Sequence, residues 1–352
     1  MRILFLAEYY PPMIQGGAEV SLPILAQELA KRHEVHVLTP NYRNAGNAER
    51  KDGKVHIHEF PSIRRLFFQA KRASGAVYAA NRNAFSFLLG AAVKIFVREM
   101  SEKLEQFCAD KKFDVIHANN YESSLSLADA NVRGAKVAHL RDLRLMKSPV
   151  KGMKFVAISD FLGKKYAPLL GEDIITVYNP VKPAPPAKKD HGIVLFVGSL
   201  TEHKGARLLP AIASCISGRK LIALGEGPER QALQNSPNIV LKGFVRDTKK
   251  YYAKAPLLVV PSQWEEGFGR VVAEGQANGC VVVATRKGAI PELIEDGKTG
   301  ILADSVKEMC KALNMPHGMM QRISVSARNA SKKYEPSVIA RQMENIYKNM
   351  LQ

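Results

Sequence analysis

Residues 257–284 predict a single β-α-β unit, and this unit constrains the fold more tightly than any other part of the chain. A short apolar run at 257–262 is typical of a buried strand, and a polar, glycine-containing turn follows at 263–269. A helical pattern then extends over 270–278, Gly279 ends it, and a second apolar run begins. Two buried strands joined by a helix predict a parallel sheet in an α/β fold.

The turn of this unit carries residues suited to an anionic ligand that also bears hydroxyl groups. A ligand of an open parallel sheet lies beyond the carboxyl ends of the strands, which is where Glu266 falls. Gly267 and Gly269 leave the N–H groups of the helix N-terminus open to an anion, and Glu274 can accept hydrogen bonds from vicinal hydroxyls. Backbone amides that bind phosphate, together with carboxylates that bind hydroxyl groups, suit a nucleotide sugar as the ligand. Taken alone, this spacing more often reflects surface glutamates at a positive helix terminus.

The same alternation of strands and helices extends over the chain in two halves. Between them, residues 179–189 hold four prolines, which block a continuing helix or sheet. The sequence therefore predicts an α/β protein with two Rossmann-like domains that face one another across a cleft. The expected boundaries are 1–180 for an N-terminal, acceptor-side domain, 181–190 for a proline-rich linker, 191–335 for a C-terminal domain that binds a nucleotide sugar, and 336–352 for a helix that packs back on the first domain.

Several loops that follow predicted strands bring further candidates to the same rim. Gly16 and Gly17 precede the first helix, but the loop lacks the Walker lysine and the GxGxxG spacing, so close approach of a ligand and a simple turn stay equally open. A lone histidine is more often structural, which is the interpretation favoured for His117. The other candidates are His139 in the first half, and Lys204, Gly225 and Gly227 in the second.

The cysteines and apolar segments exclude several protein classes. Cys108, Cys215, Cys280 and Cys310 show no CxxC or Cys/His spacing, so the sequence suggests neither a zinc site nor a disulfide framework, and a reducing cytoplasm fits best. The apolar run at the N-terminus is too short for a signal peptide. The longest apolar candidate, residues 84–97, is interrupted by Lys94 and is too short to cross a bilayer.

The formal net charge of +18 predicts a polyanionic partner or surface, and its distribution is more informative than its total. Seven basic and no acidic residues lie between Pro61 and Arg98, interleaved with large apolar side chains. This mixture favours contact of residues 61–98 with the headgroups of an anionic membrane. A solvated basic face over an ordinary helical core is the main alternative. Nucleic acid is less favoured, because no recognised binding motif accompanies the charge.

Several fragments together resemble the retaining glycosyltransferases of family 4, which have the GT-B fold of two facing Rossmann domains. The resemblance covers nearly the whole chain, is densest from Gly198 to Gly300, and depends on the order and spacing of the motifs. The matching fragments are Gly16-Gly17-Ala18-Glu19, Gly198 through Lys204-Gly205, Gly225-Glu226-Gly227-Pro228, Gly243-Phe244-Val245, Glu266-Gly267-Phe268-Gly269 with Glu274, Gly279-Cys280-Val281-Val282, and Pro291-Glu292 before Asp296-Gly297-Lys298-Thr299-Gly300.

The resemblance implies a role for each matching position. Glu274 would hold the donor ribose, and Glu266 with the amides of Gly267, Phe268 and Gly269 would contact the transferred sugar and the distal phosphate. The resemblance further places Lys204, Gly16 and Gly17 at the diphosphate, the backbone near Phe244 and Val245 around the base, and His139 near the sugar and the reacting centre. Gly225 and Gly227 belong to a turn whose backbone could approach the donor. Ser199 departs from the pattern, since family members usually carry an arginine there. A missing cation leaves the charge on the leaving group less neutralised, unless Arg207, Arg246 or Arg270 compensates.

These features predict a retaining hexosyltransferase that acts on a nucleoside diphosphate sugar, with UDP favoured and GDP-mannose as the other option. The resemblance implies that a donor phosphate oxygen takes the acceptor proton, and the absence of an Asp-x-Asp motif agrees with catalysis without metal or cofactor. The basic segment suggests a lipid-linked or glycan acceptor and a peripheral position on the cytoplasmic face of a membrane. The alternatives are a nucleotide-sugar epimerase, a hydrolase that uses Glu266 and Glu274, and a non-catalytic protein that binds lipid or nucleic acid.

Overall fold

The computed structural model of the protein describes residues 1–13, 16–63, 65, 82–143, 152–171 and 174–352, and the chain divides into two compact units. Unit 1 comprises Met1–Tyr178 together with Ile339–Gln352, and unit 2 comprises Asn179–Val338. The proline-rich segment belongs to unit 2. Its Lys189 donates through Nζ to three backbone carbonyls of that unit, those of Tyr252, Ala255 and Asn278, at 3.0, 2.8 and 2.8 Å.

Unit 1 is built on a largely parallel sheet. Its strands are β1 (Arg2–Leu6), β2 (Glu34–Asn41), β3 (Ala48–Asp52), β4 (Val55–Pro61), β5 (Val115–Ala118), β6 (Ala135–Leu140), β7 (Lys154–Ala157) and β8 (Ile175–Thr176). Among the described residues their order is β3-β4-β2-β1-β5-β6-β7-β8, and β3 pairs antiparallel with β4. The order of connection reverses between β1 and β5, so the loops that follow these two strands diverge and leave a crevice at their carboxyl ends.

The helices of unit 1 connect these strands across the faces of the sheet. In the described part of the unit they are α1 (Ala18–Leu29), α2 (Arg82–Cys108), α3 (Tyr121–Asp129) and α4 (Asp160–Leu170). Two of them begin at residues whose side chains accept from the first turn: Asn120 Oδ1 accepts from the Ser123 amide at 3.2 Å, and Ser159 Oγ accepts from the Leu162 amide at 3.1 Å. Such caps satisfy backbone donors that have no partner inside the helix, and so fix where each helix starts.

Unit 2 repeats the architecture with a fully parallel sheet. Its strands are β9 (Ile193–Val197), β10 (Lys220–Leu224), β11 (Ile239–Leu241), β12 (Leu257–Val260), β13 (Val281–Ala284) and β14 (Ile301–Leu302). Their order, β11-β10-β9-β12-β13-β14, reverses between β9 and β12. The following helices are α5 (Leu209–Cys215), α6 (Arg230–Leu233), α7 (Lys249–Lys254), α8 (Arg270–Ala277), α9 (Ile290–Leu293), α10 (Val306–Leu313), α11 (His317–Ala330) and α12 (Pro336–Leu351).

The last helix, α12, leaves unit 2 and contributes to the core of unit 1. Its buried apolar face, which includes Ile339, Met343 and Tyr347, belongs to the same hydrophobic cluster as Ile3 and Phe5 of β1. Burial of such side chains stabilises a fold by roughly 1.5–3 kcal/mol each. The final residues of the chain are therefore structural components of unit 1.

The prediction that the cysteines form no disulfide is wrong. Cys215 and Cys310 are bonded, with their Cα atoms 5.8 Å apart, and the bond joins the end of α5 to α10. The two residues are separated by 95 positions, so their spacing gave no signal of the pair. Cys108 and Cys280 are thiols, and burial raises the pKa of each to about 11.

Only part of the predicted membrane-binding segment is described. Residues 64 and 66–81 lie outside the described residues, as do the side chains of 82–91. Farther along α2, Arg98 is exposed and paired with Glu102 at 2.9 Å. In the parts of the chain that the structure describes, no helix is both long enough and apolar enough to cross a bilayer.

Candidate donor-binding site

Two loops of unit 2 meet at the point where its strand order reverses. One follows β9 and the other follows β12, and these strands are neighbours in the sheet. Gly205 in the first loop has φ +74°, and a Cβ there would lie 1.9 Å from the carbonyl oxygen of Pro261 in the second. The Gln263 amide also donates to the His203 carbonyl at 2.8 Å. Close backbone contact thus fixes the side chains at the tips of both loops, and that contact requires glycine at position 205.

Lys204 and Glu266 form an ion pair between these loops. Lys204 Nζ lies 2.6 Å from Glu266 Oε1, and Ser262 Oγ donates to the same oxygen at 2.7 Å. The Ser262 side chain is buried, whereas Lys204 and Glu266 keep 39% and 17% of their side chains exposed. Both hydrogen bonds fall on Oε1, so Oε2 has no donor among the described residues. One carboxylate oxygen is held in place and the other is available to a hydroxyl group.

Helix α8 begins directly after this cluster and carries the second predicted carboxylate. Glu274 Oε1 lies 2.8 Å from Arg270 Nε, one helical turn earlier, and the two side chains are 19% and 15% exposed. Arg270 also donates to the carbonyl oxygen of Pro180 at 3.4 Å. On its other side Glu274 approaches Tyr252, whose pKa is raised well above 10.0 by burial and by this carboxylate. The structure therefore holds Glu274 in a polar cluster with Arg270, apart from the Lys204–Glu266 pair.

The three residues between Glu266 and α8 offer backbone rather than side chains. Phe268 is 3% exposed, and its ring packs edge-on against Tyr334 with centroids 5.8 Å apart. Its side chain therefore belongs to the core, and only its amide is suited to a ligand. Gly267 and Gly269 have no side chain to block the N-terminus of α8, and Gly269 directly precedes its first residue.

The glycine turn after β10 lies against the loop after β9. Gly225 has φ +144°, and a Cβ on this residue would lie 1.9 Å from the Gly198 carbonyl oxygen. A Cβ on Gly227 would lie 2.4 Å from the carbonyl oxygen of Leu200. Backbone hydrogen bonds join the same segments, because the Leu200 amide donates to the Glu226 carbonyl at 2.9 Å. These glycines are required for contact between loops, whatever else they contact.

The other predicted positions of this loop cluster differ in exposure. Phe244 is 75% exposed, and Val245 is half-buried. Ser199, at the position where an arginine was expected, lies with its hydroxyl 3.4 Å from that of Thr201. The exposed ring of Phe244 offers an aromatic face against which a planar ligand can stack.

The structure distinguishes among the arginines considered as substitutes for the missing cation. Arg207 pairs with two carboxylates, Glu202 at 3.1 Å and Glu229 at 3.0 Å, and is 59% exposed. Arg246 is exposed. Arg270 alone among the three contacts a predicted site residue, Glu274. It is therefore the best-placed candidate for contact with a donor.

In unit 1, the predicted glycine loop contacts a carboxylate of the protein itself. Gly16 donates its amide to Glu19 Oε2 at 2.6 Å, and Glu19 is buried in the first turn of α1. Gly17 is exposed and immediately precedes the helix. The Glu19 carboxylate thus accepts the hydrogen bond of the Gly16 amide, which the sequence-based prediction assigned to a phosphate of the ligand. The neighbouring residues 14 and 15 lie outside the described residues.

His139 lies within β6 and belongs to a buried polar chain. Its Nδ1 is 3.0 Å from His117 Nε2 and 3.1 Å from an Arg141 guanidinium nitrogen. The other ring nitrogen of His117 lies 2.5 Å from the Tyr347 hydroxyl on α12. Burial, together with the charge of Arg141, holds the pKa of both histidines well below 6.5, so both rings are neutral at physiological pH.

Two family models match the chain. Residues 15–184 match Glycosyltransferase Family 4, and residues 191–315 match Glycosyl transferases group 1. The chain belongs to the family 4 glycosyltransferases. The family prediction made from the sequence motifs is thus confirmed.

Individual relatives cover most of this glycosyltransferase. An uncharacterized glycosyltransferase of Methanocaldococcus jannaschii is 25% identical, with 99% of each chain aligned. The GDP-mannose-dependent alpha-mannosyltransferase of Corynebacterium glutamicum is also 25% identical, over 87% of this chain and 77% of its own. Among solved structures, Anabaena HepE in complex with UDP matches with a TM-score of 0.71 at 20% identity, over 99% of this chain and 100% of HepE. The shared architecture is GT-B, so the predicted fold class is confirmed.

Three residues of this glycosyltransferase that contact the predicted site were not identified from the sequence. Ser262 follows a buried strand and gave no signal beyond its place at the carboxyl end. Arg141 lies two positions after His139, yet nothing in the sequence indicated that it would contact the ring. Tyr347 is separated from His117 by 230 positions, so only the packing of α12 reveals the contact.

Proposed function

We propose that this glycosyltransferase transfers a hexose from a nucleoside diphosphate sugar to an acceptor hydroxyl, with retention of anomeric configuration. The observation that carries the proposal is the Lys204–Glu266 pair at the reversal of strand order in unit 2, where a ligand of a doubly wound sheet lies. A cation next to a carboxylate with one oxygen available suits a ligand that combines phosphate and hydroxyl groups.

Each residue of unit 2 has a separate role in this proposal. Lys204 exchanges its bond to Glu266 for the donor diphosphate, and the amides at the start of α8 share that negative charge. Glu266, still held by Ser262, accepts a hydrogen bond from a sugar hydroxyl. Glu274 receives the ribose hydroxyls, and Arg270 turns from Glu274 to the phosphates, supplying the cation that Ser199 lacks. From unit 1, we assign His139 to an oxygen of the sugar.

In this proposal, retention follows because the donor itself supplies the oxygen atom that takes the proton of the acceptor hydroxyl. A phosphate oxygen of the leaving group takes the acceptor proton on the face of attack, so the reaction needs neither a protein base nor a metal ion. We expect EDTA to leave the rate unchanged, and we expect NMR of the first product to show the anomeric configuration of the donor. An inverted product would overturn the proposed mechanism.

The comparisons support two donor bases. The structural relative HepE is described in complex with UDP, whereas the corynebacterial relative is described as GDP-mannose-dependent. We favour UDP. The exposed ring of Phe244 and the half-buried Val245 are the positions we assign to the base.

Calorimetric titration of the full chain with UDP, GDP and their common sugar conjugates tests the donor site. We expect tight binding of one nucleotide family, at least tenfold weaker in Glu274→Ala, because the ribose loses a charged hydrogen-bond acceptor. The matched control is Glu265→Ala, an exposed glutamate adjacent to Glu266. The chain has a single tryptophan, Trp264, so quenching of its fluorescence by nucleotide gives a second readout.

The titration also separates the alternatives. A folded protein that binds none of these nucleotides would contradict the transferase proposal and favour the lipid-binding or nucleic-acid-binding alternative. Interconversion of a donor without any acceptor would favour an epimerase.

For the acceptor, we propose a lipid-linked or glycan substrate at the cytoplasmic face of a membrane, with residues 61–98 on anionic headgroups. The support is the run of seven basic and no acidic residues in that segment. Replacement of Arg64, Arg65, Lys71 and Arg72 by glutamine should weaken sedimentation with phosphatidylglycerol vesicles and leave nucleotide affinity unchanged. Equal sedimentation of the variant would remove this segment from the proposal.

A further inference from the structure

Tyr347, His117, His139 and Arg141 form a buried series of side-chain hydrogen bonds. The chemistry of these groups decides which atom donates in each contact. Arginine carries only donors, so the contact of 3.1 Å makes His139 Nδ1 an acceptor. Since the ring is neutral, its proton lies on Nε2. His117 Nε2 approaches the same Nδ1 at 3.0 Å and must therefore donate to it.

The assignment continues to the C-terminal helix. A neutral His117 with its proton on Nε2 has a bare Nδ1, which accepts from the Tyr347 hydroxyl. Each contact in the chain then has one donor and one acceptor. The reverse assignment, with the proton on Nδ1 of His139, would direct that N–H against the N–H of Arg141.

The Nε2 atom of His139 lies at the end of this series of hydrogen bonds. Among the described residues, His139 Nε2 is buried and has no hydrogen-bond partner, whereas two donors share the single lone pair of Nδ1. The backbone of Val177 favours the protonated ring through a nearby contact, but no described residue makes a hydrogen bond of normal geometry with Nε2. Buried donors in native proteins nearly always have an acceptor, so an exception calls for an explanation such as an absent ligand.

We infer that Arg141, His117 and Tyr347 are positioning residues that hold His139 as the Nε2–H tautomer, so that it donates to an oxygen atom of the sugar substrate. The identity of this ligand rests on the proposed function, whereas the tautomer rests on geometry alone. Tyr347 makes α12 part of the site, 230 positions along the chain from His117. Arg141 selects the tautomer, and His117 and Tyr347 fix the orientation of the ring.

NMR of the full chain labelled with ¹⁵N-histidine tests the tautomer without any substrate. Long-range ¹H–¹⁵N correlations identify the protonated ring nitrogen, and His117→Asn and His139→Asn assign the signals. We expect both rings to be neutral with the proton on Nε2. Arg141→Met removes the obligatory donor at similar side-chain length, so a second tautomer of His139 should appear. A wild-type His139 protonated on Nδ1, or an unchanged spectrum in Arg141→Met, would overturn the inference.

Kinetics test the positioning role. Arg141→Met and Tyr347→Phe should each lower kcat about tenfold or more and leave KM for the donor within about twofold, because a misoriented donor group impairs the reaction more than binding. The control is Tyr42→Phe, which removes another buried hydroxyl of unit 1, one that donates to the Glu8 carbonyl at 3.2 Å. Equal kcat values in all three variants would refute the positioning role.

The two experiments distinguish failure of the proposed function from failure of the inferred tautomer. If the protein transfers no sugar from any donor, the proposed function fails, and the NMR spectra still decide the tautomer. If transfer is observed but the spectra show the Nδ1–H tautomer, the inference fails and the proposed function stands.

Discussion

The two units place their candidate residues in different ways. In unit 2, Lys204 and Glu266 lie on loops after neighbouring strands, and the motifs that carry them are local in sequence. In unit 1, the ring of His139 is oriented through His117 by Tyr347, on a helix from the far end of the chain. Motif order therefore reveals a site formed by loops, whereas a site oriented by side-chain packing requires the folded structure.

The largest effect that we expect would test the unit 2 side of this comparison. Glu266→Gln should lower kcat/KM for transfer by about 100- to 1000-fold, the usual cost of removing one stabilising group in a transition state. The amide keeps the volume but loses the charge that Lys204 contacts at 2.6 Å. Glu265→Gln is the matched control and should retain activity. A Glu266→Gln variant as active as this control would show that the ion pair has no role in catalysis.

A second test of unit 2 measures how strongly the fold depends on the close contact between its loops. Gly225→Ala places a Cβ 1.9 Å from the Gly198 carbonyl oxygen at φ +144°, and should lower the free energy of unfolding by about 3 kcal/mol or more. Gly218→Ala, at φ +68° with open space around it, should cost only about 1 kcal/mol. Urea denaturation measures both. Equal losses of unfolding free energy in Gly225→Ala and Gly218→Ala would mean that the loop after β10 moves away from the Gly198 carbonyl with little loss of stability.

The sequence predicted unit 2 well for a physical reason. Glycine turns and the eight-residue spacing of Glu266 and Glu274 are local features, and buried parallel strands appear as apolar runs. Strand β3 gives no signal in the sequence, because its segment, Ala48–Asp52, is polar and lies at the edge of the sheet, where pairing with β4 rather than an apolar pattern defines it. The Cys215–Cys310 bond and the contact of Tyr347 with His117 depend on tertiary packing, which no local pattern encodes.

Acid should destabilise the protein, because the histidines of unit 1 are buried in the neutral form. Folding lowers the pKa of His117 and His139 well below 6.5, so below that pH the unfolded state binds more protons than the folded state. Stability should therefore fall as the pH decreases through 6.5, by up to about 1.4 kcal/mol per pH unit for each histidine. Burial also lowers the pKa of His33, His36 and His58, which adds to the slope.

Unfolding by urea at a series of pH values from 7.5 to about 5 measures this slope. The variant His117→Asn should be less stable at neutral pH but should show a shallower slope than the wild type, since one buried titrating group is gone. The same substitution at an exposed histidine, His191→Asn, is the matched control. A wild-type stability independent of pH over this range would contradict neutral burial of the pair.

The smallest effect concerns the attachment of α12 to unit 1 through Glu344. This carboxylate lies 2.8 Å from Arg32, 3.2 Å from His33 and 3.1 Å from Lys348. Burial alone would raise its pKa, but the hydrogen bonds from Lys348 and Arg32 outweigh burial and lower it from 4.5 to about 2. Glu344→Gln should reduce the free energy of unfolding by about 1 kcal/mol at neutral pH, because the partly exposed cations are screened by solvent.

The difference between Glu344→Gln and wild type should depend on pH in a defined direction. A lowered carboxyl pKa contributes stability above pH 4.5, and this contribution is lost as the pH falls from 4.5 towards 2. The two urea midpoints should therefore converge in acid, while the exposed control Glu335→Gln should match the wild type throughout. Because Tyr347 lies on the same helix, a loss of transfer activity in Glu344→Gln that exceeds its loss of stability would indicate that α12 orients His139 as well as completing the core.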